Sequence, residues 1–110
     1  MLYAAIREFT PMIGKDAVLE DRVLRTSNII EKYGAVSRVG KVIGGHRSGD
    51  YELYNWYETV AAGASAMEGY SDDPDLKKIF EERALTPVAE MRGPWLGRML
   101  YNSGKADPRK

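Results

Sequence analysis

The 110-residue sequence predicts an α+β domain whose elements follow the order strand, helix, strand, strand, helix, strand. Three observations carry that expectation. Two stretches place apolar residues at helical spacing. Four runs rich in β-branched and aromatic residues flank or separate them. Glycine, proline and aspartate punctuate the joins. The simplest arrangement is a four-stranded antiparallel sheet with both helices on one face.

Leu2 to Phe9 is a short mixed run, apolar enough for a buried strand, and Thr10-Pro11 ends it. Gly14 marks a loop. Asp16 is placed to cap the next helix, with Glu20 and Asp21 near its positive end. Leu19, Val23, Ile30 and Tyr33, with Thr26 between them, give that helix one apolar face. Gly34 suits the position beyond its end, so the helix is expected from about Asp16 to Tyr33. Ala35 to Gly44 reads as the second strand through Val36, Val39, Val42 and Ile43. The stretch GGHRSGD has the composition of a hairpin loop. Tyr51 to Glu58, crowded with aromatics, suits a pleated surface better than a helix. Thr59 can cap a helical region, VAAGASAMEGY. The segment SDDPD interrupts it, because Pro74 lacks a backbone donor and restricts Asp73. A helix restarts at Asp75 through LKKIFEERA, with Leu76, Ile79 and Phe80 on one side, and Pro87 ends it. The last strand is expected in WLGRMLYN, residues 95–102. Residues 1–102 then form a single domain, and 103–110 form a polar tail.

Composition narrows the functional classes. Sixteen basic residues balance sixteen acidic ones, so no basic excess points to nucleic acid or to an anionic membrane surface. The absence of cysteine removes disulfides, thiolate metal sites and cysteine nucleophiles. The N-terminus MLYAAIREF lacks a long apolar run, and the protein is expected to be cytoplasmic.

The third strand sets a problem of coverage. By alternation, Tyr51, Leu53 and Tyr57 point one way while Tyr54 and Trp56 point the other. The last strand behaves alike, with Trp95, Met99 and Tyr101 against Leu96 and Leu100. Helices on one face leave the other wet, and a wet face should read polar. A large exposed apolar face does not suit a soluble monomer. A second copy of the same sheet is the economical cover. The chain is therefore expected to be its own partner, in a homodimer whose sheets pack face to face as a closed barrel with helices outside. The competing expectation is that a loop or the C-terminal tail covers that face.

The element order, with YELYNWYET leading into an Ala-rich helix and then DPDLKKIF, resembles the ferredoxin-like proteins of the dimeric α+β-barrel superfamily. More narrowly, the chain is similar to antibiotic-biosynthesis-monooxygenase and NIPSNAP-like small proteins, from LYAAIREFTPMIG to WLGRMLY. The resemblance implies a pocket between helices and sheet. It also implies a choice among cofactor-free oxygenases, haem-degrading oxygenases, isomerases, peroxidases and members without known activity. Haem-degrading members carry an asparagine late in the first strand, a tryptophan ending the third and a ligating histidine in the second helix. Those positions fall on Arg7, Tyr57 and about Phe80, and none matches. No haem, flavin or metal is expected, and the sequence has no phosphate-binding glycine loop.

Individual residues can be weighed against structural roles. His46 could act as a general base, but a solvated loop histidine between glycines explains it more simply. Asp72, Asp73 and Asp75 could gather a cation, yet a capping cluster at a helix restart fits better. Arg7, Arg38 and Arg98, with Glu8, Glu52 and Glu58, lie in or beside predicted strands. They could meet a ligand carboxylate or form structural ion pairs. Gly63 and Gly69 could bend the second helical region, allow close approach, or mark a mobile segment. Arg7, Asn55 and Tyr57 are the candidate lining of the pocket: alternation puts Leu53, Asn55 and Tyr57 on one face, and the resemblance puts that face and Arg7 under the helices. The expected function is binding of a small apolar molecule there. The alternative is a cofactor-independent, monooxygenase-like enzyme acting on an aromatic or polyketide-like substrate.

Overall fold

The computed structural model describes residues 2–100, which form four strands and three helices. The strands are β1 (Tyr3–Pro11), β2 (Val36–Lys41), β3 (Tyr51–Tyr57) and β4 (Ala89–Arg98). The helices are α1 (Asp16–Glu31), α2 (Val60–Ser71) and α3 (Pro74–Leu85). All strand pairs are antiparallel and the sheet order is β2-β3-β1-β4, an α+β ferredoxin-like fold. Among the described residues no helix is long and apolar enough to cross a membrane.

The helices cover one face of the sheet. Tyr51, Leu53, Asn55 and Tyr57 alternate inward along β3 and are buried, while Glu52, Tyr54 and Trp56 between them face outward and are half-buried. Register carries that alternation across the sheet. Ala5, Arg7 and Phe9 pair with Asn55, Leu53 and Tyr51 and lie on the helix side. Ala4, Ile6 and Glu8 pair with Trp56, Tyr54 and Glu52 and lie on the open side. The core joins Leu19, Val23, Ile29 and Ile30 of α1 to Leu53, Tyr57, Ala66, Tyr70, Leu76 and Ile79. Apolar burial of this kind is the main favourable contribution to folding.

Several element ends differ from the expected ones. α1 begins at Asp16 instead of being capped by it: the N-cap is Lys15, without a side-chain cap. The second helical region is two helices. Thr59 caps α2 by accepting from the Ala62 N–H at 3.0 Å, as its position suggests. The next cap is Asp73, whose Oδ1 accepts from the Asp75 and Leu76 N–H groups at 2.8 and 3.2 Å. α3 therefore starts at Pro74, one residue before the expected restart at Asp75. A first-turn proline gives up only an N–H that has no helical partner.

β4 is the largest correction, starting at Ala89 and not at residue 95. Gly93 and Pro94 break the strand-like pattern in the sequence. They are tolerated because β4 is an edge strand and its register with β1 shifts between Ile6 and Glu8. The strand ends at Arg98; one further bond, Met99 N–H to Leu2 O at 3.0 Å, extends the ladder. Tyr101 and Asn102, expected in this strand, and the polar tail 103–110 lie outside the described residues.

Candidate functional site

A cavity of about 100 Å³ lies between the helices and the sheet. Its walls are mainly apolar: Phe9 and Met91 from the sheet, Leu19, Val23 and Ile30 from α1, and Leu76, Ile79 and Phe80 from α3. Four polar side chains interrupt them, Arg7, Arg22, Arg83 and Tyr70, with Thr26 beside them. Mostly apolar walls with a few placed polar groups are the usual build of a small-molecule site.

Arg7 comes from the middle of β1 and faces the helices. Its Nη2 donates to the Tyr70 hydroxyl at 3.3 Å. Its Nη1 is buried and has no partner among the described residues. Arg22 is differently placed. Its Nη1 donates to the Thr86 carbonyl at 2.8 Å and its Nε lies 3.6 Å from Glu82. Glu82 also receives both arms of Arg25, at 2.9 and 2.6 Å, and this pairing holds its carboxyl below the usual carboxylate range. Arg83 lies over the Phe80 ring, 5.2 Å from its centroid.

Tyr70 and Tyr33 meet edge to face, with centroids 6.2 Å apart. The Tyr33 hydroxyl donates to Asp73 Oδ2 at 2.5 Å. That bond raises the Tyr33 pKa and lowers that of Asp73, whose other oxygen caps α3. The tyrosine pair thus ties the cavity wall to the α2–α3 junction. Gly69 permits it: a Cβ there would stand 2.7 Å from the Tyr33 ring. Gly63 likewise lets α2 approach Tyr57, where a Cβ would stand 3.2 Å from the ring. Of the roles open to these glycines, close approach is the one observed, within a continuous helix.

Of the three candidate site residues, Arg7 lines the cavity, while Asn55 and Tyr57 share its sheet face but are not part of the lining. Asn55 is fully buried; its Oδ1 accepts from Ser37 Oγ at 2.5 Å and its Nδ2 has no partner among the described residues. The Tyr57 hydroxyl is also buried without one. Burial pushes its pKa up to about 12, with Tyr70 adding to the rise and Arg7 opposing it.

The other charged candidates sort cleanly. Glu8 and Glu52 are on the open face, where Arg47 pairs with both and with Asp50. Arg92 donates to Asp50 Oδ2 at 2.9 Å and to Thr10 Oγ1 at 2.9 Å. Arg38 is exposed on the open face opposite Tyr54, and Arg98 is exposed opposite Tyr3 on the helix side. Glu58 is exposed just after β3. His46 is exposed in the β2–β3 loop, away from the cavity lining. Asp73 caps α3, Asp75 lies in its first turn and Asp72 ends α2, and no group of three or more His, Cys, Asp or Glu side chains among the described residues could hold a metal ion. Tyr70, Arg22 and Arg83 were not among the sequence candidates. The one available signal was the Ala66–Tyr70 spacing, which marks the buried side of α2.

No family model matches the sequence, and no curated protein matches it either. Solved structures do share its fold. SnoaB, a cofactor-independent oxygenase from Streptomyces nogalater, is 17% identical with a TM-score of 0.63 over 93% of this chain and 96% of its own. An uncharacterised NIPSNAP-like domain protein from Burkholderia xenovorans is 11% identical, with a TM-score of 0.66 over 92% and 88%. A candidate antibiotic biosynthesis monooxygenase from Nitrosomonas europaea is 18% identical, with a TM-score of 0.62 over 91% of each chain. The resemblance read from the sequence, to ferredoxin-like proteins of the antibiotic-biosynthesis-monooxygenase and NIPSNAP kind, is met in the fold.

Proposed function

We propose that the protein is a homodimer that binds a small, largely apolar molecule between its helices and its sheet. The observation that carries the binding reading is the cavity itself: apolar walls around Arg7, whose buried Nη1 lacks a partner. A packed core would close such a space or satisfy such a group. The dimer reading rests on the open face. Ile6, Tyr54 and Trp56 form an apolar band there, Tyr54 and Trp56 stack at 6.3 Å, and Trp95 next to Ile6 is 48% exposed. The Trp56 Nε1 is buried without a partner among the described residues. A second sheet would cover the band.

The same fold in SnoaB serves a cofactor-independent oxygenase. In this chain the polar lining is three guanidinium groups and a tyrosine hydroxyl. Guanidinium groups donate and do not accept. The lining therefore favours holding an acceptor over withdrawing a proton, and binding is the better supported reading.

Sedimentation at micromolar concentration tests the dimer: a mass near twice the single chain's 12.3 kDa is expected, and 12.3 kDa overturns it. A thermal-shift screen with ring-sized apolar fragments tests the pocket. Binding to the native state raises Tm by an amount that grows with the logarithm of ligand concentration above Kd. A screen in which no fragment raises Tm counts against it.

A further inference from the structure

The cavity's polar lining also identifies the head group of the molecule it takes, an inference that rests on the pocket reading above. Six described acids are committed elsewhere. Glu82 serves Arg22 and Arg25, Asp73 serves Tyr33 and the α3 N-terminus, and Glu20 accepts from Tyr51. Glu8, Asp50 and Glu52 are held across the sheet by Arg47 and Arg92. Arg7 is left with a single described contact, the Tyr70 hydroxyl. A guanidinium facing apolar walls without a counter-charge is costly, and an anion in the cavity would offset that cost.

The hydrogen-bond inventory has the same sign. Arg7 Nη1, Asn55 Nδ2 and the Tyr57 hydroxyl are all buried and unpartnered on this one face of the sheet. All three can donate, so what the face lacks is acceptors. The Tyr70 hydroxyl accepts from Arg7 and keeps its own proton to give. We propose that the ligand is a carboxylic acid bound as its anion, with the carboxylate on Arg7 and Tyr70 and a compact apolar body among Leu19, Val23, Leu76 and Ile79. A planar carboxylate matches the guanidinium fork. Arg7 is the one half-buried guanidinium of the lining without an acid partner among the described contacts, Arg83 being exposed, and a single such cation suits a monoanion better than a phosphate dianion. Size limits the body. An engineered apolar cavity of about 150 Å³ holds benzene, so about 100 Å³ holds at most one ring or a short branched chain.

The test is calorimetric titration of the purified protein with straight-chain and phenyl-substituted acids of four to ten carbons, each against its matched primary alcohol. A charged hydrogen bond is worth about 1.5–3 kcal/mol, so an acid is expected to bind about ten- to a hundredfold more tightly than its alcohol. Acids and alcohols binding alike would overturn the carboxylate assignment and leave the pocket standing. No binding in either series removes both. Arg7→Met is expected to abolish the acid preference while leaving Tm unchanged or higher, because an apolar side chain replaces an uncompensated cation. A lower Tm in Arg7→Met would make Arg7 a structural cation and sink the proposal. Tyr70→Phe keeps the ring and is expected to weaken acids several-fold with no effect on alcohols. An equal effect on both series counts against the proposal.

Discussion

On the open face of the sheet, Glu8, Asp50 and Glu52 all meet Arg47, and Asp50 also meets Arg92. On the helix-covered face, one strand away, Arg7 Nη1, Asn55 Nδ2 and the Tyr57 hydroxyl have no partner among the described residues. β1 and β3 supply Glu8 and Glu52 to one face and Arg7, Asn55 and Tyr57 to the other, and register assigns each of these five to its side. The open face is not fully satisfied either, since the Trp56 Nε1 is buried there without a partner among the described residues; the difference is that its acids and arginines pair with one another, while Arg7 has no acid partner among the described contacts. Charges that surround a surface meant to be covered must be neutralised in advance, because desolvation otherwise penalises association. On the reading proposed above, the two faces differ in what would cover them: an apolar sheet on one side, an acceptor-bearing molecule on the other.

The largest effect expected from this contrast separates the two faces by their dependence on concentration. Leu53 is wholly buried in the core, and Leu53→Ala should cost about 2–5 kcal/mol in urea unfolding at any protein concentration. Trp56→Glu, three residues on and facing the other way, should instead leave the protein monomeric in sedimentation if the open face is the proposed dimer surface. A Leu53→Ala penalty that vanished on dilution would place that residue at the association surface and break the comparison.

A smaller effect sharpens the account of the helical cover. Gly69→Ala gains about 1 kcal/mol of helix propensity. It also forces a methyl into the Tyr33 ring at 2.7 Å, and that ring is held by Asp73. Overpacking costs about 1–3 kcal/mol, so a net loss is expected in thermal unfolding. Gly63→Ala meets Tyr57 at 3.2 Å and should come out near neutral. Equal effects at the two sites would show that the Tyr33 contact does not constrain the cover.

The smallest effect depends on pH. The Tyr33 bond, with the two α3 backbone bonds, lowers the Asp73 pKa in the folded protein. A lowered folded pKa contributes stability that is present above the unfolded value of about 3.9 and is lost as pH falls through the folded value. Asp73→Asn keeps a good capping side chain but lacks the charge. It should lower Tm slightly at pH 7, and its difference from the native protein should shrink below about pH 4. A difference that stays constant across that range would show that the Asp73 charge is not linked to stability.

Much of the fold is legible in the residues themselves. Thr59 announces a helix start because its side chain bonds a backbone N–H three residues on, a purely local event. Leu53, Asn55 and Tyr57 share a face because strand side chains alternate, and both faces of β3 read apolar in advance. The capping role expected of the aspartates is met at Asp73, but α3 starts one residue before Asp75: Pro74 looks like a stop, yet at the first turn it is also a start. β4 was misread for a different reason. Gly93-Pro94 breaks the local pattern, and only pairing with Phe9, Thr10 and Pro11 keeps residues 89–92 in the sheet.

The candidate site divides along the same line. Alternation and capping are local properties, and the sequence by itself determines the helix-covered row of β3, the start of α2 and the apolar character of both faces of β3. The partners of each charge depend on residues far apart in the chain. Arg7 reaches Tyr70 63 positions away, and Arg22 reaches Thr86 64 positions away. Arg7, Arg38 and Arg98 are equivalent as letters in a strand. Tertiary structure alone exposes two of them and sets the third beside an apolar cavity, because that depends on which helices cross which strands and where they fail to close.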